Sequence, residues 1–472
     1  MEPVPLTELV AATRAETAAI DGDGIVARRV SVDSRTLQPG DLFWALRGKK
    51  YDGHDYASEA LRRGAVACVV ERDSGQTFFG PRIVVDDTRK ALGEFARWYR
   101  NKFEALVIGV TGSVGKTTTR EMIHSALSKR HSGSRSQFNY NNEIGLPLSL
   151  LEMKSSDEVG VFEMGAARVG DIRALCQIAG PEVGVITPIG KAHLDTFGSL
   201  ERIYEGKSEL LAALPRHGFA VVVGDDPRMS EFAARAACPV IFVGEGPENQ
   251  VRATEVEFRS GRLRFSVDGR RYELAVPARH YLTAALCALA VAREIGMDCD
   301  AIAEGFSRFS GAPGRCTVDQ SSGCTIIDDT YNANPMSMQA ACICLRDWPS
   351  GGQKLLIVGD MLELGSETRT HHQELGACVA AAKVDRLLAF GENAGDVSWG
   401  ALRAGMRPHL VAECRELDAL FTVLDCWLEP GDVVLVKGSR AMRMERVVQW
   451  IQQRGGSSRQ EYTHPPGARA VA

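Results

Sequence analysis

The chain has 472 residues, of which 44% are hydrophobic and 24% are charged, and its formal net charge is −5 at pH 7. This length predicts about three domains, and the composition is ordinary for a globular protein. The acidic balance argues against a nucleic-acid partner, and no apolar run reaches the ~18 residues that a membrane span needs. The first ten residues carry no basic region before an apolar stretch, so we expect no export signal.

Short strand patterns fill the first predicted domain, residues 1–85. Four runs are bounded by Gly, Asp or Pro, as strands often are: VARRVSVDSR, DLFWALRG, AVACVVE and RIVVDD. Residues 87–100 then show apolar residues at helical spacing. This pattern predicts a helix that leads into a second domain.

The second predicted domain, residues 86–313, alternates apolar runs with helical patterns. Its strand candidates are ALVIGV, VGVFEMG, VGVITPIG and FAVVVGDD. Alternation of this kind predicts a parallel sheet covered by helices. Residues 251–277 differ, because their glycine turns predict a small antiparallel meander.

A third α/β domain is predicted over residues 314–456, with strands in CTIIDDTY, KLLIVGD, RLLAFG and DVVLVKGS. Residues 457–472 are rich in Gly, Ser, Pro and Arg, which predicts a disordered tail. The 12 cysteines include no CxxC pair, so we interpret them as small core residues rather than metal ligands or disulfides. Unpaired thiols favour the cytoplasm, where thiols stay reduced.

The strongest local pattern is a phosphate loop between a β-branched strand and a helix pattern. Glycines let backbone N–H groups turn toward phosphate oxygens, and the start of a helix adds partial positive charge. Lys116 would reach the terminal phosphates, and the Thr117 hydroxyl would bind Mg²⁺. Val110 stands where the strict pattern has glycine, so the loop is a shortened variant, and a glycine-rich turn without nucleotide is the alternative. The nucleotide-binding candidates here are Gly112, Ser113, Val114, Gly115, Lys116, Thr117 and Thr118.

Further segments spread over nearly the whole chain resemble the Mur ligase family. They are VSVDSRTLQPGDLFWALRG (30–48), FNYNNEIGLPLSLLEM (138–153), VFEMGA (161–166), PIGKAHLDTFGSLERIYEGKSEL (188–210), IIDDTYNANPMSM (326–338), GDMLELG (359–365) and VLVKGSRAMRMERVV (434–448). The resemblance implies an α/β protein of three domains: an N-terminal domain for a UDP-sugar, a central P-loop ATPase domain, and a Rossmann-like C-terminal domain.

The resemblance also implies a reaction. The strings at 331–335 and 437–440 favour the member that joins D-alanyl-D-alanine to UDP-N-acetylmuramoyl-tripeptide. ATP would phosphorylate the peptide carboxylate, and the amine of the dipeptide would attack the acyl phosphate. The implied cofactors are ATP and Mg²⁺, with two ions expected. We expect a cytoplasmic monomer with no nucleic-acid or membrane partner.

Four residues are the catalytic candidates: Lys116 from the loop and, by resemblance, Glu163, His193 and Lys207. The metal ligands are Thr117 from the loop and, by resemblance, Glu163, His193 and Lys207, with Lys207 carrying a carbamate formed from carbon dioxide. Glu163 also ends an apolar strand, where α/β sheets bind ligands, so its position favours a metal ligand and a solvated strand-end carboxylate is the alternative. Without the resemblance, His193 is interpreted as a structural hydrogen-bonding residue and Lys207 as a solvated helix lysine.

The remaining candidates also come from the resemblance. Arg315, Asp329 and Asn334 are implied nucleotide contacts. Substrate contacts are implied for Ser34, Arg35, Asn141, Asn142, Lys437, Ser439 and Arg440. The alternative for the last three is a basic cluster that merely ends a strand.

The sequence departs from the family's pattern in two places. The helix that contacts adenine usually carries two asparagines, and Tyr281 and Ala284 stand there instead. We therefore expect weaker discrimination between ATP and GTP, partly offset if Tyr281 stacks on the base. Pro188 replaces a small polar residue. Two other functions stay open, a folylpolyglutamate synthetase and a nucleotide-binding protein without catalysis.

Overall fold

A computed structural model describes residues 1–20, 24–48, 50–75, 79–137, 139–259, 261–320 and 323–456. The predicted disordered tail, residues 457–472, lies outside the described residues. The chain forms two compact units, the first comprising Met1–Phe258 with Arg262–Ser310 and the second running from Gly311 with the short segment Arg259–Gly261. The domain limits near 85 and 313 stay predictions.

The N-terminal part of the first unit is built on a mostly parallel sheet. Its strands are β1 (Val4–Pro5), β2 (Glu16–Ala18), β3 (Val26–Ala27), β4 (Val30–Ser31), β5 (Leu42–Trp44), β6 (Ala67–Glu71) and β7 (Arg82–Val85). Its helices are α1 (Leu6–Thr13), α2 (Ala57–Arg62) and α3 (Thr88–Arg100). In the described residues the main sheet has the order β2-β7-β6-β5-β4, with β2 antiparallel to β7, and β1 pairs with β3. The four predicted strand runs and the helix at 87–100 are confirmed.

A larger parallel sheet forms the centre of the first unit. Its strands are β8 (Leu106–Thr111), β9 (Gly133–Arg135), β10 (Val159–Glu163), β11 (Val183–Ile186), β12 (Phe219–Val223), β13 (Val240–Gly244) and β14 (Val251–Arg252). Among the described residues their order is β14-β13-β12-β11-β8-β10-β9. The strand order therefore changes direction at β8, between β10 and β11. Ligands of open α/β sheets bind at the carboxyl ends of strands at such a point.

Helices cover this sheet, and a small meander follows it. The helices are α4 (Lys116–Leu127), α5 (Gly145–Leu150), α6 (Asp171–Ala179), α7 (Leu194–Phe197), α8 (Leu200–Ala213), α9 (Met229–Ala233), α10 (Tyr281–Glu294) and α11 (Cys299–Ser307). The predicted antiparallel meander is confirmed as β15 (Thr254–Arg259), β16 (Arg262–Val267) and β17 (Arg270–Ala275).

One hydrophobic core joins the two sheets of the first unit. Helix α3 supplies the link, because its buried residues recur at the 3–4 residue spacing of a helix face. Phe95 stacks on Trp44 of the N-terminal sheet, with ring centroids 5.9 Å apart. The buried Tyr99 hydroxyl accepts a hydrogen bond from the Glu2 amide (2.7 Å) and donates one to the Met153 carbonyl (2.8 Å).

The second unit is another α/β layer. Its strands are β18 (Thr317–Asp319), β19 (Thr325–Asp329), β20 (Lys354–Gly359), β21 (Arg386–Phe390), β22 (Val411–Cys414) and β23 (Val433–Lys437). Its helices are α12 (Pro335–Asp347), α13 (Thr368–Ala381), α14 (Ala394–Arg403), α15 (Leu417–Trp427) and α16 (Glu445–Gly456). The described strands take the order β18-β19-β23-β20-β21-β22, in which β18 is antiparallel to β19 and the other pairs are parallel.

In the part of the chain that the structure describes, no helix combines the length and the apolar character that a bilayer crossing requires. The apolar stretch of residues 282–292 lies in α10, most of whose residues are buried.

The bridging hydroxyl of Tyr99 generates a prediction about stability. We expect Tyr99→Phe to lower the free energy of unfolding by about 1–3 kcal/mol, because the half-buried Glu2 amide and the buried Met153 carbonyl each lose a partner. Urea unfolding measures the change. Tyr51→Phe is the matched control, because Tyr51 is 71% exposed. Equal unfolding midpoints for wild type and Tyr99→Phe would contradict the assigned role.

Candidate active site

The phosphate loop follows β8 at the switch point of the central sheet. Gly112 and Gly115 adopt positive φ angles of 146° and 83°. A side chain at Gly112 would collide with the hydroxyl and carbonyl of Thr187, so glycine is required there. Gly115 is the N-cap of α4, and the amides that begin this helix lie directly after the loop.

The side chains of the loop are held by short contacts. Lys116 Nζ donates to the carbonyls of Gly112 (2.8 Å) and Ser113 (3.3 Å). The buried Thr117 hydroxyl donates to Glu163 Oε2 at 2.7 Å. Val114 is half-buried in the loop, and Thr118 is half-buried in the first turn of α4. The structure therefore brings together the predicted loop residues and the predicted carboxylate.

Glu163 ends β10 and is 2% exposed, so the solvated strand-end alternative is wrong. Asn141 Nδ2 donates to Oε1 at 2.8 Å, and Arg120 Nη1 lies 3.7 Å from Oε2. Burial raises the pKa of this carboxyl. The charges of Lys116 and Arg120, together with hydrogen bonds from Asn141 and Thr117, lower the pKa by more than burial raises it. The net pKa lies below its usual value, so Glu163 is ionised at neutral pH.

The two predicted asparagines differ in what they contact. Asn141 reaches the Glu163 carboxylate, and its carbonyl accepts from the Gly165 amide at 2.7 Å. Asn142 Oδ1 instead accepts from the amides of Ile144 (3.1 Å) and Gly145 (2.8 Å), where α5 begins. Asn142 therefore shapes the backbone that presents Asn141.

Lys207 lies on α8 and is 2% exposed, so the solvated-lysine alternative is also wrong. Its Nζ donates to the Ala166 carbonyl at 3.1 Å and lies 5.6 Å from the centre of the Phe197 ring. Burial, strengthened by the charge of Lys116, holds the pKa of Lys207 well below its usual value, although Asp171 and Glu163 oppose this shift. The amine is therefore available in its neutral form far more readily than an exposed lysine.

His193 begins the short helix α7 with a left-handed φ of 55°. Its carbonyl accepts from the Phe197 amide (3.0 Å) and from the Thr196 hydroxyl (3.1 Å). These backbone contacts fix the start of α7. The role of the imidazole as a metal ligand stays a prediction.

The donor set near the loop fits Mg²⁺. Thr117 Oγ1 and Glu163 Oε2 lie 2.7 Å apart and are both hard oxygen ligands. Among the described residues, no cluster of three or more His, Cys, Asp or Glu side chains has the geometry of a metal site.

In the second unit, predicted residues meet at the carboxyl ends of β19 and β23. Asp329 and Lys437 are register partners, and Lys437 Nζ lies 2.6 Å from Asp329 Oδ2. The same amine donates to the Asn332 carbonyl at 2.8 Å. Both side chains are largely buried, so this ion pair fixes the loop that begins at Thr330.

The other predicted residues of this unit hold nearby backbone. Asn334 caps α12, with Oδ1 accepting from the Ser337 amide at 2.9 Å. The Arg315 guanidinium lies 3.8 Å from the centre of the Tyr331 ring. Ser439 Oγ accepts from the Leu362 amide at 2.9 Å, and the exposed Arg440 donates its amide to Asn332 at 3.4 Å. Nucleotide or substrate contacts for these residues stay predictions.

Ser34 and Arg35 lie between β4 and β5 of the N-terminal sheet. Ser34 is buried, whereas the Arg35 side chain is 83% exposed and pairs with Asp33 at 2.7 Å. The exposed guanidinium suits recognition of an anionic ligand, and that role stays a prediction.

Tyr281 is not placed to stack on a nucleotide base, because it is 2% exposed. Its ring packs against Phe309 at 6.0 Å and against His280 at 5.1 Å, measured between centroids. The expected compensation for the missing asparagines therefore does not come from this ring. Ala284 is buried on the same helix.

Three residues of the site were not predicted from the sequence. Arg120 approaches Glu163, Ser136 Oγ accepts from the Glu163 amide at 3.0 Å, and Thr187 donates to the loop at Val114. Arg120 offered one signal, since it lies three residues after Thr117 and so on the same face of α4. The other two depend on which strands become neighbours.

Comparison with known proteins agrees with this geometry. Residues 27–100 match the Mur ligase family catalytic domain, residues 110–292 the Mur ligase middle domain, and residues 314–440 the Mur ligase glutamate ligase domain. UDP-N-acetylmuramoyl-tripeptide–D-alanyl-D-alanine ligase of Bacillus subtilis is 33% identical over 90% of this chain and 93% of its own length. The chain belongs to the Mur ligase family.

Solved structures of Mur ligases extend this similarity to the fold. MurF from Acinetobacter baumannii matches 96% of this chain and 100% of its own, with a TM-score of 0.87 and 29% identity. MurF from Thermotoga maritima, solved in complex with ADP, matches 92% of this chain and 99% of its own, with a TM-score of 0.80 and 32% identity. The predicted α/β fold with three Mur ligase domains is confirmed.

The buried amine of Lys207 generates a prediction about stability and pH. A lysine whose pKa is lowered by folding makes the folded state lose stability as pH falls below the ordinary lysine value of 10.5. We therefore expect Lys207→Met to unfold at higher urea concentration than wild type at pH 7, in buffer free of carbon dioxide. The difference should shrink as pH approaches 10, and a wild type that is more stable than the variant at pH 7 would contradict it.

Proposed function

We propose that this chain is the ATP-dependent ligase that joins D-alanyl-D-alanine to UDP-N-acetylmuramoyl-tripeptide. Relatives with that name align over about nine-tenths of the chain, at 33% identity for the Bacillus subtilis protein. The observation that carries the proposal is the cluster of Lys116, Thr117 and Glu163 at the switch point of the central sheet. A folylpolyglutamate synthetase is not favoured, because the Mur ligase similarity includes the N-terminal sheet.

The phosphate loop would position ATP for attack by the peptide carboxylate. The amides at the start of α4 would hold phosphate oxygens, and Lys116 would leave its loop carbonyls to stabilise charge on the transferred phosphoryl group. Bound Mg²⁺ would neutralise phosphate charge. Thr117 and the ionised Glu163 would hold that ion. The peptide carboxylate would attack the γ-phosphorus of ATP, ADP would leave, and an acyl phosphate would form. The dipeptide amine would then attack the carbonyl carbon of the acyl phosphate and lose a proton, and the tetrahedral intermediate would expel inorganic phosphate to give the amide.

Lys207 is proposed to carry a carbamate. The neutral amine attacks the carbon of CO₂, a nitrogen–carbon bond forms, and one proton leaves to give an anion. Burial supports this step, because a lysine with a lowered pKa supplies the nucleophilic free amine. The product would add a second anionic group to the side of the site where Lys116 supplies positive charge.

The remaining assignments are part of the same proposal. Ser34, Arg35, Lys437, Ser439 and Arg440 would contact the two peptide substrates. Asp329, Asn334 and Arg315 would contact the nucleotide. A second Mg²⁺ at His193, a monomeric state and a cytoplasmic location complete it. The 12 thiols are free, which a reducing compartment permits.

One assay tests the reaction. Purified protein is incubated with ATP, Mg²⁺, D-alanyl-D-alanine and a UDP-tripeptide that carries either diaminopimelate or lysine, and products are weighed by mass spectrometry. We expect the UDP-pentapeptide, with phosphate release that requires both co-substrates. Release that instead requires a folate and glutamate, or nucleotide binding with no product, would overturn the proposal.

The role of Lys116 generates a prediction about turnover. We expect Lys116→Ala to lower kcat by about 10²–10³-fold, because the ammonium stabilises charge that develops on the phosphoryl group. Steady-state kinetics measures it. Lys129→Ala, on the surface just beyond the same helix, is the control, since Lys129 pairs with Glu304 at 2.8 Å. Near-normal turnover in a folded Lys116→Ala protein would rule out the assigned role.

The carbamate generates a separate prediction. Lys207→Ala should lose activity, and added formate or acetate should restore part of it by occupying the vacated anionic position. Wild type should also lose activity when carbon dioxide is removed and regain it with bicarbonate. Full activity of Lys207→Ala without any additive would refute the carbamate.

A further inference from the structure

The segment Thr187–Gly190, which we call the strap, follows β11 and lies against the phosphate loop. We propose that Thr187 is a positioning residue that holds this loop in its nucleotide-binding shape. The inference rests on the proposed function, because it concerns how the loop is made ready for ATP. Neither the loop motif nor the metal candidates include Thr187.

The side chain of Thr187 fits the loop in two ways. It is 1% exposed, and its hydroxyl donates to the Val114 carbonyl at 2.6 Å. Its Oγ1 occupies the space that a side chain at Gly112 would need. Because Gly112 has no side chain, the Thr187 hydroxyl can approach the loop closely across the β8–β11 strand pair.

Backbone contacts of the strap continue this match. The Pro188 carbonyl accepts from the amides of Ser113 (3.0 Å) and Val114 (3.3 Å). The Ser113 hydroxyl donates to the Gly190 carbonyl at 2.8 Å. Proline has a fixed φ, so the strap has fewer backbone conformations that compete with the one that meets the loop. The strap therefore contacts both residues that lie between the two glycines of the loop.

These contacts divide the loop into two functional halves. The amides of Ser113 and Val114 are directed to the strap, whereas the amides that follow Gly115 begin α4. A phosphate would meet this second half, where the positive end of the helix lies. Loss of the Thr187 hydroxyl would remove this donor from the half-buried Val114 carbonyl and free the first half of the loop to move. The helix start would then no longer be held in register with Gly112.

The test compares Thr187→Val, which keeps the shape but loses the hydroxyl, with Thr187→Ser, which keeps the hydroxyl. Thr13→Val is the matched control, since Thr13 is buried and donates to the Leu9 carbonyl at 2.9 Å far from the loop in sequence. Three quantities are measured: the Kd of a fluorescent ATP analogue, KM for ATP against kcat, and hydrogen exchange of residues 107–120 without ligand.

We expect Thr187→Val to weaken analogue binding and raise KM for ATP by about tenfold, with a smaller change in kcat, because the half-buried Val114 carbonyl loses the donor that holds the loop. Hydrogen exchange of residues 107–120 should accelerate. Thr187→Ser should restore most of both effects, and Thr13→Val should show neither. Unchanged exchange and affinity in Thr187→Val would overturn the inference, as would equal losses in Thr187→Val and Thr187→Ser.

Two further outcomes are separable. If Thr187→Val does not fold, Pro188→Ala is measured in its place. The proposal then predicts that Pro188→Ala shows faster hydrogen exchange of residues 107–120 and a several-fold higher Kd for the fluorescent ATP analogue. An unchanged Pro188→Ala would then count against the strap. If wild type makes no pentapeptide, the proposed function fails, and the exchange comparison still decides whether Thr187 holds the loop.

Discussion

The site depends on one constraint, a carboxylate buried at the carboxyl end of a parallel strand. An ionised carboxylate withdrawn from water is costly unless charges and hydrogen bonds replace its hydration. Glu163 obtains them from Thr117 and Asn141, which bond its oxygens, and from Arg120 at 3.7 Å. The partners come from two chain segments, so satisfying one charge brings α4 and the loop before α5 to the same point.

The same arrangement fixes the position of the phosphate loop and the position of the Glu163 carboxylate relative to each other. Thr117 can donate to Glu163 because the register of β8 and β10 places Val110 opposite Glu163. A shift by one residue would turn the carboxylate to the other face of the sheet. The helix N-terminus that would hold phosphate and the oxygen that would hold Mg²⁺ are thus set by one strand pairing. Neither would be placed correctly without the other.

The sequence predicted those parts of the fold that have long, local patterns. The strands β8, β10 and β12 are continuous apolar runs, and α3 shows a clear helical period, so each was predicted. The strands β9 and β18 have only three residues each, so a local pattern hardly marks them. The strand β13 carries an ordinary apolar run, VIFVG, and was missed all the same.

The candidate site divides in the same way. Lys116, Thr117 and Glu163 follow from a motif and a strand end. The burial of Lys207, the approach of Arg120 and the strap contact of Thr187 arise only when strands and helices pack. Asn334 shows the opposite case: it was predicted from the sequence as a binding residue, and the structure shows that it also caps α12. Motifs identify the reactive residues well, but they do not show which contacts position those residues.

Two buried lysines show how packing, rather than residue type, decides that chemistry. Lys437 lies 2.6 Å from the Asp329 carboxylate, so its charge is matched and its stem is fixed. Lys207 meets the Ala166 carbonyl at 3.1 Å and feels the charge of Lys116, so burial holds its pKa well below the usual value. A matched ammonium serves as a clamp, because breaking the pair would leave a buried charge. An amine whose charged form is disfavoured is instead the more nucleophilic one. Its burial lowers the stability of the folded protein, and that stability would be regained if the amine reacted or if an anion came close to it. The same side chain therefore anchors a loop in one unit, whereas in the other its charged form is disfavoured.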